Sequence, residues 1–300
     1  METRKLGNTD LTVSRLGVGL AEIGDLSMGE VNVAAQVLNT ALDNGITLLD
    51  TAACYGNSEE LVGRAVADRR DEFVLSTKAG HVAGTYDGRA WTPRTVRDSI
   101  ERSLRRLRTD HLDVVHLHSC SVAVLERGEV IQVLQDAKQA GKTRYIGYSG
   151  DNDAALWAVD SGLFDTLQTS FNLVDQQACL HLFPKAQRQG MGIIAKRPIA
   201  NAAWGAETSP SSYAAEYHRR AQILAKEGLI PNAPDDPILL ALGFTLAHAA
   251  VDTAITGTRD PQHMQANVRM VEQELPISAE TVLELQRRFD ELGQSWAQET

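Results

Sequence analysis

Eight short apolar segments recur along the chain, at 16–20, 46–51, 73–78, 112–118, 145–149, 166–171, 192–196 and 253–256, and most are followed by a stretch with helical spacing. In the first of these stretches, Val31 to Asn44, residues Val33, Val37, Leu38 and Leu42 fall on one side, and Gly45 stops the helix. Further helices are predicted over 58–69, 93–107, 129–140, 151–161, 176–189 and 237–250. Pro93 stands at a first helical position, Ser58 at an N-cap, and Gly141 and Gly190 just past helix ends. Strands that alternate with helices pair in parallel through right-handed crossovers. Eight of them predict a closed α/β barrel, the (β/α)8 TIM barrel. A doubly wound sheet would carry a glycine-rich phosphate turn after its first strand, and here Gly17-Val-Gly19 runs into Leu-Ala-Glu.

Residues 1–16 predict an N-terminal β-hairpin, with turn formers from Gly7 to Asp10. The segment 197–236 is long and irregular, with a helical centre at 213–226. Two extra C-terminal helices, 261–271 and 278–292, follow the eighth strand. A barrel of this kind takes about 250 residues plus insertions, so the 300 residues predict one domain over 1–300.

Charge narrows the partners. With 29 basic and 39 acidic residues the chain carries −10, which disfavours nucleic acid. The arginines of 94–108 read as the solvated outer face of a helix. The longest apolar run, Ile238 to Ile255, falls short of the roughly 20 residues of a membrane span; it contains His248 and Asp252 and reads as a buried helix followed by a strand. Three cysteines with no metal-type spacing, and no apolar leader after Met1, predict a cytoplasmic protein. No apolar stripe distinguishes an oligomer surface from core.

The chemistry is expected at strand ends, where barrels keep it. Asp50, Lys78 and His118 each end an apolar strand, and Tyr55 follows Asp50 by five residues. In Val114-Val-His-Leu-His118, alternation turns His116 and His118 the same way, His116 one layer deeper as a packed core histidine. An Asp50–Lys78 ion pair would fix a cation beside Tyr55. A phenol has a pKa of about 10, and a nearby ammonium stabilises its phenolate. Tyr55 then serves as general acid, and His118 donates to a carbonyl oxygen as charge develops there. Such a site suits hydride transfer between a carbonyl and an alcohol, the hydride coming from a cofactor. Cys54 reads as a packed cysteine, and Trp91 and Trp204 as residues that either wall a substrate pocket or pin the two long top loops.

Several motifs run in one order along the chain: Asp50-Thr-Ala-x-x-Tyr55-Gly56-x-Ser58-Glu59, Ser76-Thr-Lys78, Leu112-Asp113 with His118, Arg144-x-Ile-Gly-x-Ser149, Gln168-x-x-Phe-Asn172 and Thr256-Gly-Thr258 with Asn267. Together they resemble the aldo-keto reductase family. That resemblance places Asp50, Tyr55, Lys78 and His118 on a catalytic tetrad, and Ser149 and Gln168 on positions that hold a nicotinamide carboxamide. It sets Lys196 under the nicotinamide ring, Ile199 and Asn201 along the pyrophosphate, and Gly257, Thr258, His263 and Asn267 at the adenosine end. The family often has arginine where His263 stands, gripping a 2′-phosphate, and Arg259 is a substitute at that helix start. Two departures stand out: Gly150 where the family has asparagine, with Asp151 and Asn152 as neighbouring replacements, and Lys196 where many members carry an aromatic. The implied cofactor is NADP(H), with NAD(H) open, and the implied substrate a small carbonyl compound or alcohol. Two other function classes compete: a nicotinamide-nucleotide-sensing subunit with little turnover, and a barrel hydrolase or isomerase, which the absence of a nucleophile elbow or metal cluster disfavours.

Overall fold

The computed structural model describes residues 1–300. Strands β1 (Thr3–Lys5) and β2 (Thr12–Ser14) pair antiparallel. Eight further strands follow: β3 (Leu16–Gly19), β4 (Leu48–Asp50), β5 (Val74–Ala79), β6 (Leu112–His118), β7 (Thr143–Ser149), β8 (Thr166–Ser170), β9 (Gly192–Lys196) and β10 (Thr253–Gly257). All are parallel, each pairs with the next, and β10 closes on β3. The expected (β/α)8 barrel is the observed one.

Helices α1 (Val31–Asp43), α2 (Ser58–Ala65), α3 (Pro93–Leu107), α4 (Val122–Glu126), α5 (Glu129–Gln139), α6 (Asn152–Ser161), α7 (Gln177–His181), α8 (Phe183–Arg188), α9 (Ala215–Ala225), α10 (Pro237–Ala247), α11 (Pro261–Arg269) and α12 (Ala279–Leu292) surround it. The run 238–255 divides as expected into a buried helix, α10, and a strand, β10. No helix is long and apolar enough to cross a membrane.

Three local expectations are corrected. The helix expected over 176–189 is two helices that meet at Leu182, because Pro184 lacks an N–H and its ring crowds the preceding turn. The helix expected over 58–69 ends at Ala65 and continues as a 3-10 segment, Ala67–Glu72. Ser58 is not a cap: it is buried inside α2, and its hydroxyl is 2.8 Å from that of Thr51. A strand-end hydroxyl outcompetes the helix N-terminus for it.

The barrel interior is layered. Its floor is apolar, with Leu48, Val74, Val114, Ile194 and Ile255 facing Leu6, Leu11 and Val13 of the hairpin in one small cluster. The hairpin thus plugs the bottom. Gly7 makes this possible: its φ is +56°, and a Cβ there would lie 2.2 Å from the Gly192 nitrogen. Above the floor the same alternation presents His116, Ser76 and Thr166. His116 bonds both hydroxyls, at 3.2 and 3.1 Å, and burial pushes its pKa down to about 4. It is the packed, neutral core histidine expected.

Register sets the layer above. Asp50 pairs with Ser76, His118 with Ser149, Ser149 with Gln168, and Ser170 with Lys196. These residues therefore arrive at one rim, the C-terminal mouth.

Candidate active site

Lys78 lies at the centre of the mouth. Its ammonium donates to Asp50 Oδ2 at 2.6 Å and to the Thr51 carbonyl at 2.9 Å, and both side chains of the ion pair are 2% exposed. Asp50 Oδ1 accepts from Ser76 Oγ at 2.8 Å and from Gln168 Nε2 at 2.9 Å, so each carboxylate oxygen has partners. Burial alone would lower the Lys78 pKa. The charge of Asp50 and the partnership with Tyr55 outweigh it and hold the ammonium above its ordinary value.

The Lys78 ammonium is 4.8 Å from the centroid of the Tyr55 ring. Burial pushes the phenol up and Lys78 pulls it down, and burial wins. The expected net lowering is thus corrected: Lys78 acts in the expected direction, against a larger desolvation. Tyr55 is a protonated donor at neutral pH. Its backbone is fixed in a tight turn, Tyr55 N to the Ala52 carbonyl at 3.0 Å and Ser58 N to the Tyr55 carbonyl at 2.9 Å. The loop after β3 presses on that turn. A Cβ on Gly24 would lie 2.3 Å from the Tyr55 backbone carbonyl oxygen, so only glycine fits there.

His118 stands edge-on to Tyr55, ring centroids 5.8 Å apart at 81°. Burial, then the charge of Lys78, hold its pKa well below the usual value, so the imidazole is neutral. Cys54 Sγ is 3.5 Å from His118 Nδ1. Burial keeps Cys54 a thiol. A thiol that donates to Nδ1 leaves the ring proton on Nε2, the tautomer a carbonyl needs. The sequence shows Cys54 only as a neighbour of Tyr55; its contact with a residue 64 positions on was not legible. Trp91 donates to the His118 carbonyl at 2.8 Å, and the His81 ring packs 4.5 Å from His118 and 4.9 Å from Trp91. Trp91 therefore pins its loop to the end of β6. Trp204 packs against the main core.

A cleft of about 430 Å³ opens from Asp50 and Tyr55 toward the end of β10. Asp50, Tyr55, Gln168, Lys196, Ile199, Asn201 and Gly257 line it, as do Glu22, Ser211 and Tyr213, which sequence reasoning missed. Burial pushes the Glu22 carboxyl up. It packs on Gly257, where a Cβ would lie 1.9 Å from Glu22 Oε2. Ser211 and Tyr213 come from the long irregular segment.

Other expected residues lie beside the cleft rather than on its wall. Ser149 donates to Gln168 Oε1 at 2.9 Å. Asn267 is 3.4 Å from Thr256 Oγ1, and Thr258 Oγ1 accepts from the Asp260 nitrogen at 3.0 Å in the turn before α11. Arg259 is exposed and has no ion pair, while His263 is exposed with Asp260 at 3.8 Å. One departure from the family pattern, Lys196, is paired with the residue next to the other, Gly150. Lys196 pairs with Asp151 at 2.7 Å, across β8. Asn152 does not replace the missing asparagine: its side chain ties down Gln298, at 3.0 and 2.9 Å.

One wall of the cleft has an unusual backbone. Ala200, Asn201 and Ala202 hold φ of 49°, 53° and 59°, three successive left-handed residues without a glycine. Such strain costs on the order of 1 kcal/mol per residue and is retained where backbone meets a ligand. The Asn201 side-chain Nδ2 is buried and without a partner.

The family model described as the aldo/keto reductase family matches residues 15–287. The chain belongs to the aldo-keto reductase family. It is 30% identical over 286 residues to the uncharacterised oxidoreductase YqkF of Bacillus subtilis, covering 90% of each chain. To L-galactose dehydrogenase of Arabidopsis thaliana it is 28% identical over 302 residues, covering 95% of this chain and 93% of that one. A solved aldo-keto reductase of Bacillus halodurans, in its holo form, superposes with a TM-score of 0.82 at 26% identity over 96% of both chains. Aldo-keto reductases use nicotinamide cofactors and act on small carbonyl substrates, so this chain is an oxidoreductase of that kind.

Proposed function

We propose that this aldo-keto reductase reduces an aldehyde or ketone with NAD(P)H, or runs the reverse oxidation, with Tyr55 as the proton-transferring acid. The observation that carries this is the buried Asp50–Lys78 pair at 2.6 Å with its ammonium 4.8 Å from the Tyr55 ring. Tyr55 hands its proton to the substrate oxygen. Lys78 stabilises the phenolate left behind, Asp50 keeps Lys78 charged and aimed, and neutral His118 donates to the same oxygen. Bound NAD(P)H supplies the hydride. Gln168 and Ser149 hold the carboxamide, and Ile199 and Asn201 the pyrophosphate. Gly257, Thr258, Arg259, His263 and Asn267 receive the adenosine end, at the N-terminus of α11.

NADP(H) is the proposed preference, and NAD(H) fits the same cleft. An exposed, unpaired Arg259 suits a 2′-phosphate. Arg259→Ala is expected to weaken NADPH binding about tenfold while NADH changes less than twofold, measured by nucleotide titration. Equal losses for both would remove Arg259 from the discrimination.

The direct test follows NADPH and NADH absorbance over a panel of aromatic and aliphatic aldehydes. Turnover is the expected result. Tight nucleotide binding with no consumption on the whole panel would replace the enzyme with a nucleotide-sensing subunit.

A further inference from the structure

Proton transfer at the mouth leaves one buried charge unused. Lys196 ends β9 with its side chain 15% exposed, on the cleft wall it shares with Asp50, Tyr55 and Gln168. Its partner Asp151 lies on the other side. The Asp151 side chain is fully buried, and its second oxygen accepts from Thr169 Oγ1 at 2.9 Å and from the Ser170 nitrogen at 2.7 Å, both on β8. The pair is therefore a fixed dipole whose positive end faces the cleft. Arg197 also lines the cleft, with its guanidinium engaged by Ser170 Oγ at 3.0 Å, by Tyr213 and by the Glu299 carbonyl.

Such a pair is a poor way to stabilise a fold. Desolvating two charges costs about what their attraction returns, and an apolar residue of similar volume often does as well. Burial, together with Arg197, pulls the Lys196 pKa down, and Asp151 works to keep it charged. The arrangement calls for a use at the cleft surface.

Hydride transfer changes the charge of the ring that carries it: the nicotinamide is cationic when oxidised and neutral when reduced. A carbonyl bonded to Tyr55 requires that ring at the inner end of the cleft, beside Gln168 and Lys196. A fixed cation there raises the energy of the oxidised ring and leaves the neutral one nearly unaffected. We propose that Lys196, held by Asp151, discriminates between the redox states of the nucleotide, so that the site binds the reduced form more tightly than the oxidised form. This rests on the nicotinamide reading of the site. In carbonyl reduction the substrate carbon gains the hydride with its electron pair, its oxygen gains the Tyr55 proton, and the nucleotide leaves oxidised by two electrons. Lys196 then speeds release of that product, and lessens the driving force of the step by the same factor.

The test is the ratio of dissociation constants, oxidised over reduced, for NADP⁺ and NADPH, measured by calorimetric titration. In the wild type the ratio is expected to be about tenfold, a difference of about 1.4 kcal/mol. Lys196→Met should bring it to one or below, and Lys196→Arg should keep it within twofold of wild type. Lys196→Met combined with Asp151→Asn should also lower it, by less, since no lone carboxylate then attracts the cationic ring. This double variant leaves no unpaired buried charge, so it guards against a single variant that fails to fold. Equal affinities in the wild type, or a ratio that either methionine variant leaves unchanged, would overturn the proposal. A wild type that binds neither nucleotide would overturn it together with the nicotinamide reading. A flat ratio in a protein that still turns over would remove only the part assigned to Lys196.

Discussion

Tyr55→Phe should lose turnover almost completely, with kcat lower by about 10²- to 10⁴-fold, the usual contribution of a positioned general acid. Nucleotide dissociation constants should stay within twofold. The expectation is sharp because the substitution removes one oxygen and little else. The ring still meets His118 edge-on, and the Lys78 ammonium still lies over it. The turn is held by backbone bonds to Ala52 and Ser58 and by the close approach of Gly24. The phenol of Tyr55 combines a transferable proton with the buried cation of the Asp50–Lys78 pair. Neutral His118 has a proton to share, but burial and Lys78 both resist charging it. Rates in Tyr55→Phe within twofold of wild type would take the proton transfer away from this residue. Single-turnover kinetics at saturating nucleotide would distinguish a lost chemical step from slower release.

How much of this was legible in the sequence depended on distance along the chain. The barrel followed from local signals: apolar strands, helical spacing, glycine stops. Asp50, Lys78 and His118 followed because each ends a strand or stands one residue before its end, and parallel register brings strand ends to one rim. The resemblance supplied Ser149 and Gln168, though not their bonds to each other and to Asp50. Contacts made across the barrel were not written in any window of residues. Glu22 against Gly257, and Cys54 against His118, are of this kind. The clearest case is Asp151 and Lys196, 45 positions apart. Taken singly, a missing asparagine and a lysine in an aromatic position look like two defects. In space the carboxylate of one region neutralises the ammonium of the other, and only the fold brings them together. Pro184 is the opposite lesson: its effect on the helix at 177–188 is wholly local, and the helical spacing around it masked a visible break.

Lys78→Met should damage stability and activity together, and a second substitution should separate the two. Methionine matches the length of the lysine stem but leaves the Asp50 carboxylate buried without its cation. Removing one partner of a buried pair costs about 3–5 kcal/mol. Ser76 and Gln168 still donate to Asp50, which places the loss toward the lower end of that range. For a chain of this size each kcal/mol lowers Tm by about 2–4 °C, so the melting transition should fall by roughly 6–12 °C. Adding Asp50→Asn removes the orphaned charge, and most of that fall should be recovered. Activity should not return. The phenolate of Tyr55 has no other cation this close, and burial, already the larger influence on its pKa, would then act unopposed. The double variant is therefore expected to melt near the wild type, to bind nucleotide, and to reduce aldehydes at least a hundredfold more slowly, about 2.7 kcal/mol in the barrier. Recovery of turnover along with stability would mean that Lys78 serves the fold alone, and that Tyr55 releases its proton without help from a fixed positive charge.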